Sequence, residues 1–299
     1  MSSINTNNNP FRIANMNSRP LVLDGAMGSF LQEKGFNPDD SLWMTKVNKS
    51  NPEIILQIHR EYIDAGADII TTNTFRTNPS SLETEDNSIC KSYVRQAVDL
   101  AQEAASNENV FIAGSNAPAE DCYQSFRTLS HKKLEMNHKY HIDLLIDRGV
   151  HFILNETQSH LDEIKIICEH CTMNQIPFII SLYVVENSLT ILSGQSLEDV
   201  LQLIKDSSSL AIGFNCISPF TFVRIREHVD FKFNWGFYLN CGSGNHKDKI
   251  ITCGVSPNEY IETVKESLMY KPSIIGSCCG SNPKHTKKIK EFLDEQNFS

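Results

Sequence analysis

Pro52-Glu53-Ile54-Ile55-Leu56-Gln57-Ile58-His59-Arg60-Glu61-Tyr62-Ile63-Asp64-Ala65-Gly66-Ala67-Asp68-Ile69-Ile70-Thr71-Thr72-Asn73-Thr74-Phe75 is the stretch whose reading decides the fold. Its first half spaces Ile54, Ile55, Ile58, Tyr62 and Ile63 along one helical face, behind an Asn51 cap and a proline at the first helical position. Gly66 ends that helix. Ala67 to Thr71 then reads as a short buried strand, and Thr72-Asn73-Thr74-Phe75 turns polar where the strand should stop. Helix, glycine, apolar strand and polar terminus together form one α/β repeat.

The repeat recurs in both directions. Upstream, Leu21-Val22-Leu23-Asp24 is a short strand that runs into Gly25-Ala26-Met27-Gly28. Downstream, helices are predicted over 88–105, 134–148, 161–173, 197–205, 258–270 and 283–292. Strands are predicted over 110–113, 150–154, 177–182, 210–214, 233–238 and 273–277. Eight short strands at a spacing of roughly 25 to 45 residues, with a helix between most pairs, predict a single-domain (β/α)8 TIM barrel. A doubly wound sheet is the alternative. The barrel is expected over 19–299, behind a polar tail over 1–18 in which Asn5, Asn7, Asn8 and Asn9 cluster.

Composition narrows the function classes. A net charge of −9 and a pI near 5.6 leave no broad electropositive face for a phosphate backbone, so small molecules are expected as partners and nucleic acid is not. The nine cysteines are odd in number and sit in or beside apolar runs, which fits free thiols and metal ligands in a reducing compartment. No apolar run reaches the ~18 residues of a membrane span, and the Asn-rich start lacks the core of a signal peptide. The expected location is cytoplasmic.

In a barrel, Asp24, Asn73, Asn116, Glu156, Cys216, Asn240 and Cys278 all fall at C-terminal strand ends, the face that carries active sites. Gly276-Ser277-Cys278-Cys279-Gly280 puts two thiols where a strand meets a loop, and its flanking glycines allow both to converge. Gly213-Phe214-Asn215-Cys216 adds a third. Strands six and eight alternate around a barrel, so these thiols can share one side-chain layer. Three cysteines with one open position describe a catalytic zinc, since structural sites close their tetrahedron with protein ligands. Asp24 reads either as a substrate contact or as a turn or helix-cap aspartate. Cys168-Glu169-His170-Cys171 lies within a helical pattern and lacks a second pair at finger spacing, so core or surface positions are expected there in place of metal ligands. His59, His141 and His160 are expected to be packed or solvated, and His285 to belong to a first helical turn. Cys90, Cys122 and Cys253 are expected to be buried apolar thiols.

These motifs together resemble the homocysteine S-methyltransferase family. The resemblance rests on Leu23-Asp24-Gly25-Ala26-Met27-Gly28, Thr72-Asn73-Thr74-Phe75, Glu156-Thr157, Gly213-Phe214-Asn215-Cys216 and Gly276-Ser277-Cys278-Cys279-Gly280, in that order. It implies a (β/α)8 barrel that binds Zn2+ through Cys216, Cys278 and Cys279. It further implies that Asp24 and Glu156 hold the amino group of homocysteine, and that amides near Gly25, Ala26 and Met27 receive its carboxylate. Asn73 and Asn215, from the same motifs, join the expected substrate-binding set. Two positions depart from the family pattern. Ser277 stands for a second glycine, and Cys241 for the serine of the strand-seven turn.

The implied activity is transfer of a methyl group to homocysteine, giving methionine. Zinc would hold the substrate thiol as a thiolate, because a free thiol with pKa near 8.5 is only a few per cent ionised at pH 7. S-methylmethionine or S-adenosylmethionine is the expected donor. Trp43 matches one position of the betaine-using relatives, but Arg76 and Thr157 stand where those enzymes place aromatics. The alternatives are a betaine- or corrinoid-dependent homocysteine methyltransferase and a non-catalytic metal- or thiol-binding barrel.

Overall fold

A computed structural model describes residues 19–39, 41–84, 86–244, 250–296 and 298, so the expected tail over 1–18 lies outside the described residues. The strands are β1 (Leu21–Val22), β2 (Ile69–Thr71), β3 (Phe111–Asn116), β4 (Phe152–Gln158), β5 (Phe178–Leu182), β6 (Ala211–Asn215), β7 (Trp235–Leu239) and β8 (Ile274–Ser277). All pair in parallel in the order β1-β8-β7-β6-β5-β4-β3-β2. The seam between β1 and β2 is drawn together by a Leu23–Ile69 bridge, and by Asp24 N–H donating to the Ile69 carbonyl at 2.9 Å. At its base the Asp68 carboxylate takes both Arg19 guanidinium nitrogens, at 2.7 and 2.8 Å, and the Val22 amide at 2.7 Å. The result is the nearly closed (β/α)8 barrel expected from the strand spacing.

Helices lie between the strands: α1 (Met27–Glu33), α2 (Val47–Ser50), α3 (Pro52–Asp64), α4 (Asn87–Ala104), α5 (His131–Asp147), α6 (Leu161–Met173), α7 (Leu197–Lys205), α8 (Pro219–His228), α9 (Pro257–Ser267) and α10 (Pro283–Asp294). α3 is the helix of the opening stretch, and Gly66 stops it at φ 95°, a left-handed turn that costs glycine little. Asn51 precedes α3 without capping it through its side chain. α8 was not expected. Its signal is Ser218 followed by Pro219, and the Ser218 hydroxyl does accept from Thr221 N–H at 3.1 Å. The apolar pattern is masked because Phe220 and Val223 face solvent while Phe222 and Ile225 face the sheet.

Two apolar layers hold the barrel. Side chains alternating along the strands, among them Leu21, Leu23, Ile69, Phe152, Leu154, Ile179, Ala211 and Ile274, fill the interior. The opposite faces pack on the helices, where Trp235, Phe222, Phe231 and Phe237 form an aromatic cluster under β6 and β7. The plug of interior side chains fills the barrel below, and the C-terminal mouth above it is open to a ligand. No helix among the described residues is long and apolar enough to cross a membrane.

Candidate active site

That mouth holds a cavity of about 500 Å³, a size suited to small molecules. Asp24, Thr71, Glu156 and Tyr238 come from strand ends on its floor, and Cys216, Cys278 and Cys279 form one wall. The loops after β1, β2 and β3 supply the opposite half through Trp43, Phe75, Arg76, Cys122, Tyr123 and Gln124.

The three sulfurs converge. The Cys279 Sγ lies 4.0 Å from both Cys216 Sγ and Cys278 Sγ, and Cys216 and Cys278 are in direct sulfur contact, paired as a disulfide. Backbone geometry causes this convergence. Cys216 leaves β6 at φ 53°, in the left-handed region that a cysteine adopts only under constraint, and its N–H reaches the Tyr238 carbonyl at 3.3 Å. Cys278 N–H bonds the Leu239 carbonyl at 2.8 Å. Gly280 then turns the chain at φ 82°, where a β-carbon would meet the Gly242 N and Cα at 2.5 Å. Cys241 sits beneath that turn, where its N–H holds the Cys279 carbonyl at 2.7 Å. Its own thiol is buried, reaches back to the Leu239 carbonyl and does not join the cluster.

Two carboxyls face the same cavity. Asp24 is buried and accepts from the Thr71 amide at 2.7 Å and the Thr71 hydroxyl at 2.9 Å. Burial pushes it up to about 8 despite these bonds, and the Glu156 charge adds to the push. Glu156 lies where β4 takes one extra residue relative to β5, between Asn155 and Gln158; the following Thr157 has φ 58° and is held by Asn215 through its N–H at 2.9 Å. This bulge points Glu156 inward against the Ser115 hydroxyl. Burial pushes Glu156 up to about 7 while the Ser115 bond opposes it.

A family model described as homocysteine S-methyltransferase matches residues 21–293 of this chain. The chain belongs to the homocysteine S-methyltransferase family. It is 26% identical to the homocysteine S-methyltransferase of Escherichia coli (strain K12), covering 95% of this chain and 98% of that one. It is also 26% identical to homocysteine S-methyltransferase 2 of Zea mays, over 92% of this chain and 90% of the relative. A methionine synthase of Mycobacterium leprae matches 91% of this chain, at 25% identity, with 24% of its own length. Among solved structures, the metallated form of the E. coli homocysteine methyltransferase MmuM superposes with a TM-score of 0.80 at 24% identity, covering 95% of this chain and all of that one. That likeness is one of fold.

In this member of the family the reduced cysteine cluster fits a zinc ion. A tetrahedral site with Zn–S near 2.3 Å separates its sulfurs by about 3.8 Å, close to the 4.0 Å from Cys279 to each of the other two. All three ligand atoms lie within 4.8 Å of one another. Burial, with the Glu156 charge, pushes the Cys279 thiol up to about 11, and a bound cation would oppose that push.

Several expected residues take other places. Asn73 and Asn215 do not line the cavity. The Asn73 amide is held by Asn48 at 2.9 Å, and the Asn215 amide reaches the Thr157 hydroxyl at 2.9 Å, so both brace loops. Asn116 turns outward to Asn155 and His141, and Asn240 accepts from Gly242 N–H. Gly25, Ala26 and Met27 all line the cavity, but the Ala26 N–H is taken by Ser281 Oγ at 3.1 Å. Cys253 is exposed, not buried, and Cys122 is buried but sits on the cavity wall. Thr71, Ser115, Tyr123 and Tyr238 had not been anticipated. Thr71, Ser115 and Tyr238 meet the cavity or its carboxyls by packing across strands, and Tyr123 reaches it from the loop after β3; no local motif marks either.

The raised carboxyls carry a stability signature. A carboxyl whose folded pKa exceeds its unfolded one stabilises the fold below the unfolded value, and that contribution is lost as pH rises through the folded value. For Asp24 and Glu156 the loss spans from about 4 to about 8. The melting temperature of the metal-free, unliganded protein is therefore expected to fall between pH 5 and pH 8.5. Asp24→Asn is expected to flatten that slope; a slope unchanged in the variant would remove Asp24 as its source.

Proposed function

We propose that this chain transfers a methyl group from a sulfonium donor, S-methylmethionine or S-adenosylmethionine, to the thiol of L-homocysteine, giving methionine. The supporting observation is the meeting of three sulfurs and two buried carboxyls on one cavity. Zn2+ held by reduced Cys216, Cys278 and Cys279 would supply the Lewis acidity that keeps a bound thiol ionised at neutral pH, with one position left for substrate. The chain's own groups do the rest. Asp24 and Glu156 take the substrate ammonium, which supplies the positive charge their burial lacks. The amides of Gly25 and Met27 take its carboxylate. The substrate is thereby gripped at its amino-acid end, and its sulfur is directed toward the cysteine wall.

The donor occupies the other half. Trp43, Phe75 and Tyr123 line it, and aromatic rings suit a cationic sulfur or carbon; the Arg76 guanidinium already lies 5.2 Å from the Phe75 ring centre. Arg76 is half-buried there. Its guanidinium bonds the Glu120 carbonyl at 2.8 Å, and among the described residues it has no carboxylate within ion-pair reach, so it suits the carboxylate of an amino-acid donor. In the transfer the homocysteine sulfur forms the new S–CH3 bond as the donor's S–CH3 bond breaks. The donor sulfur keeps the electron pair and leaves as a neutral thioether. The protein's contribution is the alignment of the two sulfurs on opposite walls of one cavity.

A methyl-transfer assay with homocysteine and S-methylmethionine, S-adenosylmethionine, betaine or a methylated corrinoid tests this reading, in reductant and with one zinc per chain. Turnover is expected with one of the two sulfonium donors. Turnover confined to betaine or the corrinoid would overturn the donor assignment. Zinc binding without methyl transfer from any of the four would favour a metal-binding barrel.

A further inference from the structure

The wall that faces the donor is a loop, 117–130, which joins β3 to α5 without helix or strand of its own. Loops of this length hold one shape only when something ties them. Cys122, Tyr123 and Gln124 line the cavity from it, and Phe126, two residues on, is 86% exposed.

Beside the contact of the Gln124 carbonyl with His160 Nε2 at 2.9 Å and that of the Tyr123 ring with Tyr183, one guanidinium ties the neck of the loop to α6. Arg127 Nη2 meets Glu163 Oε2 at 2.7 Å and Asp162 Oδ1 at 3.0 Å, and its Nη1 meets Glu120 Oε2 at 3.2 Å. Glu163, fully buried in the first turn of α6, also accepts the Ala119 N–H at 2.7 Å and lies 2.8 Å from His138 Nε2. Against burial, the His138 bond and the Arg127 charge hold this carboxylate down to about 2. Glu120 accepts Thr128 N–H at 3.1 Å, so its pairing with Arg127 closes the neck of the loop. Its backbone carbonyl also receives Arg76. The cavity-lining residues 121–124 thus sit between two anchors, Glu120 and Arg127, and neither anchor lines the cavity.

We propose that Arg127 is a positioning residue: by joining Glu120 at the loop's neck to buried Glu163, it sets Cys122, Tyr123 and Gln124 as the wall against which the methyl donor binds. This rests on the donor half assigned above. Removing the guanidinium leaves Glu163 with only the Ala119 N–H and His138 as partners and releases Glu120 from α6; the loop is then held there by the Ala119–Glu163 bond and by His160 Nε2, 2.9 Å from the Gln124 carbonyl, so its neck loosens. Acceptor binding, built on strand ends, is unaffected. Lysine cannot substitute, because its single ammonium cannot span three carboxylates from two segments in the planar fork that arginine provides.

Donor affinity by calorimetry, with donor and homocysteine KM alongside, tests this on the zinc-loaded protein. Arg127→Met and Arg127→Lys are expected to raise the dissociation constant for S-methylmethionine or S-adenosylmethionine about tenfold or more. Homocysteine KM and zinc stoichiometry should change less than about twofold, and added methylguanidinium should restore donor affinity to Arg127→Ala. Glu120→Gln, at the more accessible end of the tie, should move donor affinity in the same direction and covers the case in which the arginine variants do not fold. Donor and homocysteine constants that move together, or a lowered melting temperature with unchanged donor affinity, would overturn the role of Arg127. A wild-type protein that binds neither sulfonium overturns the donor assignment itself, and this proposal with it.

Discussion

Cys279→Ala is expected to leave a folded barrel that retains no stoichiometric zinc after dialysis and has lost methyl transfer by on the order of 10³ or more. Cys279 is the sulfur equidistant from the other two, at 4.0 Å from each, and its side chain contributes to the site wall more than to the apolar core. Its loss should therefore cost binding, not folding. The magnitude has two parts. Without a cation, a thiol of pKa near 8.5 is only a few per cent thiolate at pH 7, a penalty of about thirtyfold. The remainder is alignment, since a thiolate not anchored on the cysteine wall must find the donor by diffusion within the cavity. The two parts separate with pH. Raising the assay from pH 7 to pH 9.5 should recover most of the ionisation penalty in the variant and none of the alignment loss. Cys278→Ala should behave alike, and retention of one zinc per chain in either variant, measured in reductant, would sink the ligand assignment.

That wall was legible because its two motifs each end a recognisable strand. The alternation of apolar runs with helical spacing located all eight strands, and the even–odd logic of a barrel brought Cys216 and Cys278 together across 62 residues. What local pattern could not show was conformation that depends on a neighbouring strand. The β4 bulge is one case: the sequence reading ends the strand at Leu154, whereas pairing continues to Gln158 with an extra residue opposite β5, and this extra residue aims Glu156. The bracing asparagines are another. Asn73 and Asn215 sit in the motifs that carry the resemblance, yet their amides are satisfied by Asn48 and Thr157, partners 25 and 58 residues away. The loop over 117–130 is a third. Polar and aromatic residues without periodicity gave no sign that Arg127 would gather it around a buried glutamate.

The second large effect falls on the carboxyl pair. Asp24→Asn and Glu156→Gln are each expected to raise homocysteine KM about a hundredfold, because each leaves the substrate ammonium one carboxylate short at the floor of the cavity. A specificity measurement distinguishes this from general damage. 4-Mercaptobutanoate keeps the thiol and the carboxylate of homocysteine but lacks the ammonium. The wild-type protein should discriminate against it by about 10³ or more, as sites built to bond a charged group do when it is missing. That ratio should collapse in Asp24→Asn combined with Glu156→Gln, where no charge remains to be matched. The pH profile follows from the same burial. With Asp24 pushed up to about 8 and Glu156 to about 7, the free site holds protons that an incoming ammonium must displace. Homocysteine KM should therefore rise as pH falls from 8 to 6, by up to about tenfold per unit for each proton displaced. Each single variant should lose one of those displacements and show a shallower limb. A wild-type KM independent of pH over that interval, with the discrimination against 4-mercaptobutanoate intact, would mean that both carboxyls are already ionised before substrate arrives, and the ammonium would then be bound by a preformed dianionic site.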